Sequence, residues 1–396
     1  PILALAGALA LLATITGRRV RDDVGTRTNL YILGVGASGS GKDRARVVNK
    51  ELLFRANAQQ LIGPESPASA SGLVSAVNHQ PALLLQWDEM GRLLSTLSGK
   101  YAGPHLANVS TVLMKFFTSS ASVYFGDAYS DNKRNISIDQ PHAVLYGTTV
   151  PKNLFENLSA DSISDGFMGR LLIFESETPS PDYQEPQAID PGPIIETIRE
   201  WTESKGGNLN AAHPEPDILP PNRGAREIWS KFRDEALEFE RAALENAPLW
   251  TRAIEKARKL ALLHACSRGS SEIGEGDARW GRELAIYLTE RLSEVGEKWI
   301  SGSSYEANCK RIERWLIDQP EQTSTIRDLA RHPARSLTRK ERDSIIDDLV
   351  YVGRLVKWTE DTGGRPAIKV RAIAYANELM SSTKTNCHAS ENGVMA

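Results

Sequence analysis

The sequence predicts an α/β protein whose open parallel sheet carries a ligand site at its carboxyl edge, and three stretches predict it. Residues 29–47 read as an apolar strand from Leu30 to Val35, a glycine-rich turn, and a helix. Ala82-Leu-Leu-Leu-Gln-Trp-Asp-Glu is an apolar strand ending in two carboxylates. Ala143-Val-Leu-Tyr-Gly is a third apolar strand, ending in the hydroxyls of Thr148 and Thr149.

In the first stretch, Gly36, four residues, Gly41 and Lys42 have the spacing of a loop whose backbone N–H groups wrap a triphosphate. Gly36, Ala37, Ser38, Gly39, Ser40, Gly41, Lys42, Asp43 and Arg44 are therefore the candidate nucleotide-binding residues. Glycine is required where backbone approaches phosphate closely or takes a positive φ. Lys42 supplies a point charge to the β and γ phosphates, and the helix after Gly41 turns its N-terminus toward them. Asp43 stands where Ser or Thr usually places a hydroxyl on magnesium. A carboxylate is a good hard-cation ligand, yet it adds negative charge beside a polyanion. ATP with Mg2+ is the expected ligand, and hydrolysis and binding without turnover both stay open.

A strand that delivers Asp88 and Glu89 at its carboxyl end places them where open parallel sheets put their ligands. Asp88 is assigned to magnesium, mostly through water, and Glu89 to polarising the attacking water. Thr148 or Thr149 is placed to meet that water or the γ-phosphate, with Thr149 taken into the catalytic set beside Glu89, Lys42 and Arg170. Arg170 precedes the apolar strand Leu171-Leu-Ile-Phe. It either reaches a neighbouring subunit's nucleotide or pairs in its own chain with Asp165 or Glu175.

The 396 residues can bury a large core and hold two or three domains. A net charge of -3 excludes global attraction to nucleic acid, so such binding has to come from local basic elements. The cysteines at 266, 309 and 387 follow no metal spacing and fit a reducing compartment. The chain begins at Pro1, which reads as a segment of a longer polypeptide with a domain upstream. Residues 2–16 are Ala/Leu-rich but short for a membrane span, and their charges follow the apolar run, unlike a signal peptide. They are expected to form a buried helix whose exposed end carries Arg18, Arg19 and Arg21.

Helices are expected over Arg44–Ala58, 71–78 and Leu106–Thr118. The loop 99–103 offers Lys100 and Tyr101 to nucleic acid, or is plain surface. Residues 122–138 form a hairpin with Lys133 and Arg134 at its tip. That tip either lines a pore around one DNA strand or merely keeps an edge soluble. Residues 176–222 lose periodicity, apart from a short helix over Pro193–Thr202. A helix over Gly224–Ala243 carries the stripe Ile228, Trp229, Phe232 and Leu237. In the next helix Arg252, Lys256 and Lys259 share one face. Arg252 is offered to the nucleotide phosphates, with salt bridges to Glu255 and Glu240 as the alternative, and His264 is read as a satisfied core residue. From Glu306 onward three short helices precede a hairpin, the order of a winged helix-turn-helix. Arg335, Arg339, Lys340 and Arg342 cluster at the third helix and Arg365 tips the wing, all positions for DNA phosphates. Asp343, Asp347 and Asp348 on that helix keep a protein-binding wing open.

These stretches together resemble the P-loop ATPase domain known as domain of unknown function 3987, found in phage, plasmid and genomic-island replication proteins. The marks are Gly17-Arg-Arg-Val, Asn29-Leu-Tyr leading into Ser38-Gly-Ser-Gly-Lys, Trp87-Asp-Glu-Met-Gly-Arg, Gly147-Thr-Thr-Val-Pro-Lys-Asn-Leu, and Asp165-Gly-Phe-Met-Gly-Arg-Leu. By this likeness Lys42, Asp88, Glu89, Thr149 and Arg170 match the loop lysine, the acidic pair, the polar sensor and the family arginine, while Asp43 departs from the family's Ser or Thr. The hairpin is similar to the one before the sensor strand of superfamily 3 viral helicases. The resemblance implies a RecA/AAA-like P-loop core (1–178), a linker (179–222), a helical lid (223–305), a winged helix (306–371) and a tail (372–396). It implies a nucleic-acid-dependent ATPase, namely a ring-forming DNA helicase or replication initiator of a mobile element. The expected partners are single-stranded DNA in the pore, duplex at the winged helix, further copies of the chain with a hexamer among the expected sizes, and a primase domain upstream or in trans. No membrane partner is expected, and the location is the cytoplasm of a bacterium or an infected cell. A DNA-packaging or remodelling ATPase, and a nucleotide-bound switch without efficient turnover, remain as the other readings.

Overall fold

The computed structural model describes residues 2–91, 93–94, 104–128, 130, 135–155, 166–176, 189–204, 209–243, 247–299, 304–360 and 366–373. The chain divides into two compact units, Pro1–Ile300 and Ser301–Ala396.

The first unit opens with helix α1 (Ile2–Ile15) and a two-residue strand β1 (Val20–Arg21). Strand β2 (Tyr31–Gly36) runs into the glycine-rich turn and helix α2 (Arg44–Arg55). Then come α3 (Ala70–His79), β3 (Ala82–Trp87) and α4 (Pro104–Ser119). The hairpin β4 (Val123–Phe125) and β5 (Ser137–Asp139) follows, and then β6 (His142–Thr149), α5 (Pro151–Phe155) and β7 (Leu171–Ser176). The unit closes with α6 (Gly192–Arg199), β8 (Asp217–Ile218), α7 (Arg223–Ala242), α8 (Ala247–Trp250), α9 (Ala253–Ser267) and α10 (Glu275–Trp299).

The central sheet is parallel in the order β3-β6-β2-β7. Every residue of β2, β3 and β6 is buried, as expected for strands covered on both faces. Alternate residues go to opposite cores: Ile32, Leu84, Val144 and Tyr146 pack with α1, whereas Leu33, Leu85 and Leu145 pack with Val109, Leu113 and Phe116 of α4. Helix α1 is apolar nearly all round and is held by this burial, at about 1.5–3 kcal/mol per fully buried large aliphatic side chain. Between α2 and β3, Ile62 makes a single parallel bridge to Leu84 at the outer edge of the sheet.

Three expectations change here. Arg18 and Arg19 are buried, not exposed, because Arg18 donates to the carbonyls of Leu209, Ala211, Asp139 and Gln140, and Arg19 to that of Thr202. Residues 192–222 are more than a connection, since Ile198, Trp201, Leu209 and Leu219 join the core and β8 pairs with β1. Helices α7 and α9 share that core through Trp229, Phe232, Leu260 and Leu263, while Leu237 of the expected stripe is exposed.

In the second unit α11 (Ser304–Ile317), β9 (Thr323–Thr325), α12 (Ile326–Arg331), α13 (Arg339–Tyr351), β10 (Leu355–Glu360) and β11 (Ala367–Ala372) follow in order. Thr338 and Glu341 form a reciprocal capping box at the start of α13. The hairpin β10–β11 gains a third, antiparallel strand in β9. Ile312, Leu316, Leu329, Ile346, Leu355 and Val370 are in this unit's own core.

Candidate nucleotide site

Register places the functional ends of three strands side by side. Val35 lies opposite Thr149 and Trp87 opposite Gly147, so β2, β6 and β3 end together, and the turn, Thr148 and Asp88 share the carboxyl edge. Gly39 and Gly41 take φ of +81° and +77°, with open space where a Cβ would stand, so backbone geometry selects glycine there. A Cβ on Gly36 would stand 2.5 Å from Ser40 Oγ. That hydroxyl is buried and has no hydrogen-bond partner among the described residues. Lys42 is buried, with Nζ 3.9 Å from Asp43 Oδ2.

Asp43 and Asp88 come together around two side chains. Thr148 Oγ1 is 3.1 Å from Asp43 Oδ1 and 3.2 Å from Asp88 Oδ1. Arg46 Nη2 is 2.8 Å from Asp43 Oδ1 and 2.9 Å from Asp88 Oδ2. Burial opposes the Asp88 charge, but the Glu89 N–H, Arg46 and Thr148 together hold its pKa below the usual carboxylate range. Burial likewise opposes the charge on Arg46, and the hydrogen bonds to Asp43 and Asp88 outweigh it, raising its pKa. The oxygens of Asp43, Asp88 and Thr148 are a hard donor set that fits Mg2+ once Arg46 Nη2 moves aside.

Glu89 takes φ +48°, and its Oε2 accepts a hydrogen bond from Asn153 Nδ2 at 3.0 Å. Thr149 Oγ1 accepts from the Gly91 N–H at 3.2 Å. Thr148, rather than the expected Thr149, therefore faces the carboxylates. Reading by residue type missed Arg46 and Asn153. Arg46 was recoverable: it lies in the first turn of α2, three residues beyond Asp43, the N-cap residue of that helix.

Behind the loop lies a cavity of about 870 Å³ with mostly apolar walls. Leu3 and Leu11 of α1, Ser40, Gly41 and Arg44 of the loop and α2, and Ile194 of α6 line it.

Arg170 and Arg252 are not brought to the loop. Leu171 pairs with Tyr31 at the opposite, amino edge of the sheet, so Arg170 stands there, donating to the Gly166 carbonyl at 2.7 Å. Arg252 is paired with Glu255 at 2.6 Å. It, Arg170 and Lys259 gather around the Phe117 ring, at 5.9, 5.7 and 4.6 Å from its centroid. Phe117 is tied to that edge by the bond from Asn29 Nδ2 to its carbonyl. The chain breaks between α8 and α9 at Arg252, so the expected single helix does not deliver it to the phosphates. Lys256 and Lys259 are buried instead of forming a surface face, and burial lowers both pKa values to about 8.

Of the DNA-binding candidates, Lys133, Arg134 and Arg365 lie outside the described residues. Arg335 in the turn before α13, and Arg339 and Lys340 at its start, are exposed, with Arg339 Nε 3.5 Å from Asp343 Oδ2. Arg342 is turned inward onto Asp343 at 2.7 Å. Among the described residues no helix is long and apolar enough to cross a membrane.

No family model matches the chain, and no curated protein does. Among solved structures it is similar to a full-length MCM homolog from Methanopyrus kandleri, at 16% identity and TM-score 0.39, over 72% of this chain and 54% of that one. The chain thus spans about half the length of that protein. It is also similar to the Aeropyrum pernix ORC2 protein, at 13% identity and TM-score 0.25, over 96% of this chain and 92% of that one. The Aeropyrum pernix ORC1 protein, solved in complex with DNA, matches at 15% identity and TM-score 0.23, over 90% of this chain and 87% of that one.

Proposed function

We propose that the chain is an ATPase that binds Mg2+-ATP at the carboxyl edge of its sheet and couples hydrolysis to work on DNA. One observation carries the reading: a triphosphate-type loop, Asp88, Glu89 and Thr148 converge at one edge although they come from three separate strands. The loop amides and Lys42 hold the phosphates, and the buried Ser40 hydroxyl, which has no partner among the described residues, has an acceptor when they are bound. The apolar cavity beside Ser40 and Gly41 takes base and ribose. Asp88, Asp43 and Thr148 would hold Mg2+, which would supply positive charge toward the phosphates. Glu89, released from Asn153, accepts the proton of the attacking water.

The finer reading is a ring-forming helicase or replication initiator of a mobile element, of the P-loop family that its motifs resemble. Arg170 sits at the edge remote from its own loop, which suits a role at a neighbour's nucleotide, and Arg252 shares that edge. The second unit, read as a winged helix, offers Arg335, Arg339 and Lys340 to duplex phosphates. The test is phosphate release with and without single-stranded DNA, beside a duplex-unwinding assay. Stimulation with unwinding supports the helicase, stimulation without it supports a packaging motor, and ATP binding with no release under either condition overturns the ATPase.

A further inference from the structure

Arg46 is a residue of the site that the phosphate chemistry does not use. Arg46 Nη2 lies between one oxygen of Asp43 and one of Asp88, 2.8 and 2.9 Å away. The two carboxylates come from different elements, and each is about half exposed, at 51% and 55%, whereas the arginine side chain is only 11% exposed. Its stem is thus packed, and its Nε is buried with no hydrogen-bond partner among the described residues. The geometry is not that of a solvated surface pair. One fixed nitrogen takes the place that a cation bridging Asp43 and Asp88 has to occupy, and Thr148 Oγ1 closes the same space from β6. A guanidinium stays charged throughout the accessible pH range, so this occupant leaves only by moving.

We propose that Arg46 is a resident counter-cation that shuts divalent metal out of the space between Asp43 and Asp88 until nucleotide phosphates draw it away. Asp43 is what makes this possible. A Ser or Thr at that position offers no second carboxylate, and Arg46 then bonds Asp88 alone. The acidic residue in the loop and the arginine three positions later form one device. It neutralises the empty site and makes metal uptake conditional on nucleotide. The second half, release by phosphates, rests on the nucleotide reading above, whereas the exclusion of metal from the empty site does not.

The experiment titrates Mn2+ into nucleotide-free protein and follows the loss of the free-ion electron paramagnetic resonance signal. Wild type is expected to bind weakly, and Arg46→Gln at least about tenfold more tightly, because two half-exposed carboxylates are unmasked. Arg46→Lys, whose ammonium can still bridge both, is expected to stay near wild type. Adding Asp43→Asn to Arg46→Gln is expected to abolish the gain. Arg46→Met, which keeps the buried stem, serves the same purpose if glutamine packs badly. Equal Mn2+ affinity in wild type and the uncharged variants overturns the proposal, as does a gain that survives Asp43→Asn. The same samples are then titrated with ATP: a tenfold Mn2+ gain without any ATP binding supports the metal block while removing the nucleotide reading, and ATP binding without the gain does the reverse.

Discussion

Substituting the two adjacent threonines separately by valine distinguishes the site from its support. Thr149 is fully buried, and its hydroxyl accepts the Gly91 N–H, which Val leaves unpaired in the interior. A buried donor without a partner costs about 1–3 kcal/mol. For a unit that runs from Pro1 to Ile300 that lowers the melting temperature by roughly 2–5 °C. Thr148 is equally buried, but the oxygens it meets belong to carboxylates that are half exposed and can turn to water. Its hydroxyl has one proton, so Thr148→Val removes one hydrogen bond to a solvated charge, and stability should change by less than about 1 kcal/mol. Metal-dependent ATP handling should suffer instead, because the hydroxyl lies between Asp43 and Asp88, the proposed metal ligands. We expect Thr148→Val to lose at least about tenfold in single-turnover hydrolysis with little change in melting temperature, about 1.4 kcal/mol at the transition state. Thr149→Val should show the reverse order, a lowered melting temperature with smaller kinetic loss. Differential scanning fluorimetry and quenched-flow phosphate release, run on the same preparations, read both. A Thr149→Val protein that melts like wild type yet is the slower of the two refutes the placement of Thr148.

Arg18→Met should destabilise the first unit by at least about 3 kcal/mol, because four carbonyls lose a buried donor, and urea unfolding checks it. His142 is buried, and its Nε2 is 2.8 Å from the Ala13 carbonyl; burial, with Lys259, Arg27 and Arg18 nearby, pushes its pKa down to about 3 against that carbonyl. Below the unfolded value of about 6.5 the unfolded chain binds the extra proton, so stability is full above that pH and falls toward pH 3, by a few kcal/mol over that range. His142→Gln, which keeps an N–H for Ala13, should flatten the fall of melting temperature between pH 6.5 and 4.5. Mixing Arg170→Ala with Lys42→Ala should restore part of the hydrolysis that each lacks alone, whereas mixtures as inactive as the single variants would leave Arg170 as a residue of its own chain's amino edge.

The loop and the acidic pair were legible because their chemistry is contiguous: Gly36 to Asp43 and Asp88-Glu89 each lie within one short stretch. The choice between Thr148 and Thr149 was legible in principle. Thr148 is two and four residues beyond Tyr146 and Val144, which share the α1 face with Leu52 and Leu53 of α2, so strand alternation assigns Thr148 to the side of Asp43 and Arg46. Arg18 was not legible, since its carbonyl partners are more than 120 residues away and its position after an apolar helix reads equally well as an exposed end. The interruption at Arg252 escaped for a related reason. Residues 249–266 keep a helical period across it, and the turn that moves Arg252 next to Phe117 leaves that pattern unbroken.

Equilibrium binding of radiolabelled ATP to the wild-type chain, Lys42→Ala and Glu89→Gln tests the central claim most directly, because it asks for the site before asking for turnover. The structure predicts that wild type binds, that Glu89→Gln retains that affinity, and that Lys42→Ala loses at least about tenfold, since the buried ammonium beside the loop is the cation the phosphates would meet. Lys42→Ala binding ATP as tightly as wild type, or no binding by wild type in the presence of Mg2+, would contradict it.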